Sequence, residues 1–212
     1  GGLGVYPIRD RNRGEIRGGG AQWMSAGRGV IHSEMPTQDT HGLHGFQLWF
    51  NLPAAQKMAP PRYRDISRSG LGHLESEHFV VRAIAGEWLL NGESVQGPLD
   101  ELVPQASLID LTIHDNAMVS VDIGLGDSVL GYVYDGSLSC DGHSVTAGHL
   151  AIANHGDQWN LMAGAEGARL LVMTGRPIGE PVVGYGPFVM NTREQIEQAI
   201  RDYQAGTFIE GS

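Results

Sequence analysis

The sequence predicts an all-β protein of sandwich or barrel type closed by one C-terminal helix, and three observations predict it. Between Phe79 and Met173 short apolar runs bounded by Gly, Asp or Asn recur about every ten residues. The 31 Gly and 10 Pro are scattered between such runs instead of being pooled, as tight turns between strands require. Only the last stretch of the chain carries a helical period.

The elements follow in order. Residues 1–20 set Arg9, Arg11, Arg13 and Arg17 among glycines and read as an arm or an edge hairpin. Asp10 and Glu15 offset that charge, so a solvated face is expected there, not an anion site. Ala26-Gly27-Arg28-Gly29 is a turn that should feed a short strand at Val30-Ile31, with Pro36 ending the ladder. Phe46 to Leu52 reads as a strand, Phe46, Leu48 and Phe50 alternating with Gln47, Trp49 and Asn51. In the segment from Pro53 to Arg68, Pro60-Pro61 argues against helix or central strand and predicts an extended surface crossover to a second unit.

That second unit offers strands at 79–87, 108–113, 118–123, 129–134, 149–153 and 170–173, with a loop at 92–98. At the end of the chain Thr192 can cap a helix and Gln195 complete a capping box. Ile196, Ala199, Ile200 and Tyr203 then form one apolar stripe, and Gly206 stops the helix.

Composition narrows the functions. The net charge is −10, from 24 acidic against 14 basic residues, with Lys57 the sole lysine and no basic stripe. Direct binding to a nucleic-acid backbone is not expected, because phosphates are neutralised by clustered Lys and Arg. The one cysteine, Cys140, leaves no internal disulfide and fits a reducing, cytoplasmic location. No apolar run reaches the roughly 18 residues of a spanning helix, and the first residues lack the basic region and apolar core of a signal peptide. A soluble protein that does not enter a membrane is expected.

The chemistry is concentrated between Gln22 and Pro36, which read Gln-Trp-Met-Ser-Ala-Gly-Arg-Gly-Val-Ile-His-Ser-Glu-Met-Pro. His32 and Glu34 are two apart, so in extended backbone an imidazole and a carboxylate leave the same face and make half of a metal site. His143, His149 and His155 lie farther on, but none has a carboxylate in the same His-x-Glu spacing, and no second metal site is expected.

The stretch resembles the signature of the pirin family, two-barrel members of the cupin superfamily. In those proteins Gln-Trp-Met-Ser/Thr-Ala-Gly-Arg-Gly leads into His-Ser/Ala-Glu-Met-Pro. Two further stretches are similar to pirins in the same order: His-Gly-Leu-His-Gly-Phe-Gln-Leu-Trp-Phe-Asn-Leu at 41–52, and the run from Gly175 through Gly184-Tyr185-Gly186-Pro187-Phe188 to Thr192. Gly131-Tyr132-Val133-Tyr134-Asp135-Gly136 resembles a strand-and-turn common to cupin barrels, with Ala147 to Ile152 as the return strand.

The resemblance implies two cupin-type jelly-roll β-barrels and a C-terminal α-helix. An N-terminal barrel over 1–66 would carry the metal pair, a C-terminal barrel would span 67–190, and 191–212 would be helix and tail. Pirins bind one iron through four ligands, an early His-x-His, usually within His-Pro-His-Arg, and the later His-x-Glu. Here His32 and Glu34 match the later pair. The early pair does not occur: either Tyr6-Pro7-Ile8-Arg9 stands at its place, or the segment is absent between Val5 and Asp10. The first barrel is therefore expected to be incomplete; His41 and His44 are the candidates for substitute donors, but His44 belongs to the shared strand pattern and reads as a structural hydrogen-bonding residue. Two ligands hold a divalent ion far more weakly than four.

Some pirin-like proteins cleave the flavonol quercetin with dioxygen. For this chain the resemblance implies Fe(II) or another divalent transition metal held by His32 and Glu34, a flavonol-like aromatic substrate, and Glu34 as catalytic base. The alternatives are a regulatory pirin that binds a protein partner, a transcription regulator or a metabolic enzyme, and an inactive, incomplete pirin.

Overall fold

The computed structural model describes residues 4–7, 13–33, 35–36, 44–99, 106–153 and 156–209. The chain divides into two compact units, one drawn from Gly1–Arg68 with Ile178–Ser212 and the other from Ser69–Pro177. Residues 178–190, assigned from the sequence to the second barrel, are thus grouped with the first unit, as are the helix and tail.

In the first unit β1 (Gly4–Pro7) and β2 (Arg13–Ile16) form the hairpin alternative for the arginine-rich start, Gly4 facing Ile16 and Pro7 facing Arg13. After β3 (Ala21–Ser25) the chain turns at Gly27-Arg28 and runs to the two-residue β4 (Met35–Pro36). The strand expected at Val30-Ile31 does not form. Pro36 is the last residue of β4, which pairs with β1 so that Pro36 faces Gly4. Proline is tolerated there because β4 is the edge of a three-stranded sheet, β2-β1-β4.

Residues 44–53 contain no strand. The alternation from Phe46 to Leu52 describes where side chains point, but among the described residues no neighbouring strand supplies a ladder, and Trp49 is 67% exposed. The crossover also needs correction. One helical turn, α1 (Ala54–Lys57), follows Pro53, and Pro60-Pro61 limits it from behind. Directly after the prolines, β5 (Arg62–Ile66) pairs antiparallel with β3, Ala21 facing Ile66 and Ser25 facing Arg62. The double proline marks a strand start, not a connection that runs past it.

The second unit is one ten-stranded sheet. Its strands are β6 (Gly72–Glu75), β7 (Phe79–Ala85), β8 (Glu87–Leu90), β9 (Glu93–Gln96), β10 (Ala106–Ile113), β11 (Met118–Asp122), β12 (Ser128–Cys140), β13 (His143–Thr146), β14 (Leu150–Ala153) and β15 (Gln158–Gly175). The order is β6-β7-β10-β15-β11-β8-β9, with β12 laid on β15 and carrying β13 and β14. The loop expected at 92–98 contains β9, because Asn91-Gly92, both at positive φ, makes a tight β8–β9 hairpin turn.

Two strands are far longer than the sequence rhythm implies. The Gly-containing segments near 136 and 167, of which 136 reads as a turn, are irregularities inside β12 and β15. Gly136 and Gly167 both have positive φ, and a Cβ on Gly136 would collide with the Gly167 carbonyl, so the two strands bend together at a point only glycine allows. The first half of β15 pairs with β11 and the second half with β10, which curls the sheet barrel-like around its apolar face.

That face is written in the period-two pattern. Phe79, Val81 and Ala83 of β7, Ile109, Leu111 and Ile113 of β10, and Trp159, Leu161, Leu170 and Val172 of β15 belong to one buried cluster. Each fully buried Val, Leu, Ile or Phe contributes about 1.5–3 kcal/mol, so this unit has its own core. The chain then returns through the hairpin β16 (Val183–Tyr185) and β17 (Phe188–Met190) to α2 (Arg193–Gln204). Thr192 and Gln195 form the expected reciprocal capping box, and Ile196 is the buried member of the stripe. No described helix is long and apolar enough to cross a membrane.

Candidate metal centre and its supports

The turn that leads to His32 is held from two directions. Its own geometry is closed by the Gly29 amide donating to the Ala26 carbonyl at 2.9 Å, while the Arg28 amide donates to the Ala59 carbonyl at 3.0 Å. Gly27 at φ 50° and Gly29 at φ 142° occupy backbone that side chains rarely adopt. A Cβ on Gly27 would strike the Ala59 carbonyl, and one on Gly29 would strike the Phe208 ring.

His32 itself is exposed and makes a single bridge instead of lying in a continuous strand. Glu34, the expected second ligand and base, lies outside the described residues, as do His41 and His155. His44 is exposed, its ring edge-on to Phe46 at 5.4 Å. Tyr6-Pro7, one candidate for the place of the early His-x-His, belongs to β1 in the hairpin, and Ile8-Arg9 lies outside the described residues. His149 is engaged locally, its Nδ1 3.1 Å from Thr146 Oγ1 and 3.2 Å from the Thr146 carbonyl.

Among the described residues no three His, Cys, Asp or Glu are arranged to hold a metal ion. This includes the cleft of the second unit lined by Glu77, His78, Asn91, His114 and Asp115, where His114 Nδ1 lies 2.8 Å from the Glu77 carbonyl. The exposed imidazole of His32 suits a divalent transition metal in donor type. As one donor it does not compose a ligand set.

The signature strand carries a second polar feature that sequence reasoning missed. Across β3 and β5 the Gln22 amide donates to the Tyr63 hydroxyl and, at 3.2 Å, to Asp65 Oδ1, and the Tyr63 hydroxyl donates to the same Asp65 oxygen at 2.6 Å. Gln22 and Asp65 face each other in register, as do Met24 and Tyr63. The signal was Arg62-Tyr63-Arg64-Asp65-Ile66, a period-two run behind a double proline.

The stretch from Phe46 to Leu52 is anchored at Asn51. Its side-chain oxygen accepts from Lys57 Nζ at 2.5 Å, and the same ammonium lies 3.4 Å from the Val189 carbonyl. Burial pushes the Lys57 pKa down, with the Glu180 carboxylate acting in the opposite sense. Glu180 Oε2 accepts from the Ala54 amide at 2.7 Å and from the Asn191 side chain at 3.1 Å. These bonds tie α1 to the returning C-terminal segment.

Comparison with known proteins places this arrangement. Residues 8–50 match the family described as Pirin, and residues 108–209 match the Pirin C-terminal cupin domain. A Vibrio cholerae protein named "Putative quercetin 2,3-dioxygenase" is 44% identical over 210 residues, covering 97% of this chain and 73% of that protein. A Pseudomonas aeruginosa protein of the same description is 43% identical, covering 92% of this chain and 70% of its own length. Among solved structures, a quercetin 2,3-dioxygenase from Acinetobacter baumannii superposes with a TM-score of 0.86 at 31% identity, covering all of this chain and 74% of that one. With the signature turn, the curled all-β sheet and relatives at this identity in agreement, the chain belongs to the pirin family of cupin proteins.

Proposed function

We propose that this chain is a quercetin 2,3-dioxygenase-type pirin, an oxidoreductase acting on a flavonol-like aromatic substrate. In this reading His32 and Glu34 are two ligands of a divalent metal, Fe(II) in the first instance, and the Glu34 carboxylate accepts the proton of the substrate hydroxyl. His41 and His44 are the further imidazoles that the sequence offers nearby. The observation that carries the reading is the coincidence of His32-Ser33-Glu34 with the matched segment 8–50 in a chain 44% identical to a protein bearing that name. Cys140, half-buried and outside any disulfide, supports a reducing compartment such as the cytoplasm.

The test is direct. Purified protein is loaded with Fe(II), its metal content measured, and the loss of flavonol absorbance followed with quercetin in air. Turnover that disappears in His32→Ala supports the reading. Turnover no greater than in that variant removes it.

A second reading, a pirin that binds a protein partner, is favoured by one observation: Met35, Phe46, Trp49 and Met58 of the first unit are all exposed. Binding of a defined partner that is lost in Trp49→Ser while secondary structure is kept would support it. An unchanged affinity in that variant would count against it.

A further inference from the structure

We propose that Phe208 is the positioning residue of the His32 segment, its ring seated on the Gly29 backbone and setting where the chain leaves the signature turn. The inference takes its functional meaning from His32 as a ligand, but the contact itself does not depend on any metal. A Cβ added to Gly29 would fall 2.6 Å from Phe208 Cζ, and nearer still to Cε1, so the aromatic ring fills the place a side chain would occupy. Gly29 is three residues before His32. On the other side of the turn the Ala59 carbonyl takes the Arg28 amide. The turn is therefore gripped between the segment before Pro60-Pro61 and the C-terminal tail.

The ring is itself held. Phe208 meets Phe188 of β17 at 5.4 Å and 74° and Tyr203 of α2 at 6.1 Å and 77°, while Phe188 and Tyr203 meet at 6.5 Å and 68°. Each pair is edge-to-face, the arrangement aromatic quadrupoles favour. The tail reaches this place because Gly206, at φ 73°, reverses the chain after α2, and the Thr207 amide and hydroxyl both donate to the Asp202 carbonyl, at 2.9 and 3.3 Å. Helix, hairpin and tail thus converge on one glycine of the motif that bears the candidate ligand.

The experiment uses the full chain. Limited trypsin digestion is followed by mass for the fragment ending at Arg28, and the His32 imidazole C–H resonance, assigned by its loss in His32→Ala, is followed by NMR. In Phe208→Ala cleavage at Arg28 should accelerate about tenfold as the turn opens, and the His32 resonance should shift. Phe208→Leu, which keeps an apolar cover, should restore most of both. Cleavage at Arg28 unchanged in Phe208→Ala overturns the proposal, even if the protein turns over quercetin. Acceleration at every basic site alike also overturns it, because the ring would then be merely structural. Selective acceleration with recovery in Phe208→Leu supports it, even if the protein takes up no metal and the oxidoreductase reading falls.

Discussion

The Lys57 ammonium donates to the Asn51 side-chain oxygen at 2.5 Å from a residue that is only 6% exposed. A charged amine taken out of water is costly unless it is hydrogen-bonded, and this one ties α1 both to the end of the Phe46–Leu52 stretch and to β17. Lys57→Ala removes the donor and leaves a gap, so it should destabilise the first unit by about 2–3 kcal/mol. Lys57→Met keeps most of the volume and should cost roughly half as much. Denaturant unfolding of the two variants checks the ranking.

The same residue makes stability depend on pH. Because burial lowers its pKa, the folded chain releases this proton before the unfolded chain does as pH rises. Between the two values the unfolded state binds more protons, so the Lys57 contribution grows with pH and levels off above the ordinary lysine value of 10.5. The stability of the wild type relative to Lys57→Met should accordingly improve as pH rises towards that value. A difference that is flat or falls with pH contradicts the burial of a charged amine.

Tyr134 should ionise above the ordinary tyrosine value. Burial raises its pKa, and so does the hydrogen bond it donates to Asp110 at 2.6 Å, while the Arg169 guanidinium, 5.0 Å from the ring centre, acts in the other sense. A raised tyrosine pKa means the unfolded state loses the proton first, so this contribution to stability is present below the ordinary value of 10.0 and is lost as pH rises beyond it. In a spectrophotometric titration of the six tyrosines, one component should titrate only on unfolding, and Tyr134→Phe should abolish it.

The capping box predicts a local, acid-sensitive helix start. Thr192→Ala leaves the Gln195 amide without its 3.3 Å acceptor and should cost about 1 kcal/mol. Glu194 in the first turn has its pKa lowered, first by a hydrogen bond to backbone and then by the Thr192 side chain. Its contribution is present above the ordinary value of 4.5 and disappears as pH falls through its lowered pKa. Helical circular dichroism should therefore fall at acid pH, and the fall should begin at higher pH in Thr192→Ala.

Gly131 lies hard against the core of the second unit. A Cβ there would stand 2.5 Å from the buried Trp159 ring. Gly131→Ala should destabilise that unit by about 1–3 kcal/mol through overpacking and shift the Trp159 fluorescence. A neutral substitution with unchanged emission would contradict the packing.

Much of the fold is legible where one residue type acts on its immediate neighbours. The capping box of α2 needs only Thr192 and Gln195, and the buried faces of β7 and β10 follow from alternation along single strands. The metal-pair motif can likewise be located at His32 and Glu34 by spacing. What fails does so for want of a partner. Phe46 to Leu52 has strand-like alternation but no described ladder, Arg62–Ile66 looks like a connection until β3 is beside it, and the Gly136 turn becomes a bend because β15 bends with it.

By itself the sequence determined the all-β class, the terminal helix with its cap, and the stretch that carries His32 and Glu34, because short-range periodicity and local hydrogen bonding decide those features. Only the tertiary structure decided that Arg62–Ile66 completes the signature strand, that β15 serves two neighbours on one side, and that Phe208 rests on Gly29. Those are pairings between residues far apart in the chain. A side chain's own pattern states which face it turns inward, and the backbone of a distant segment determines what it meets there.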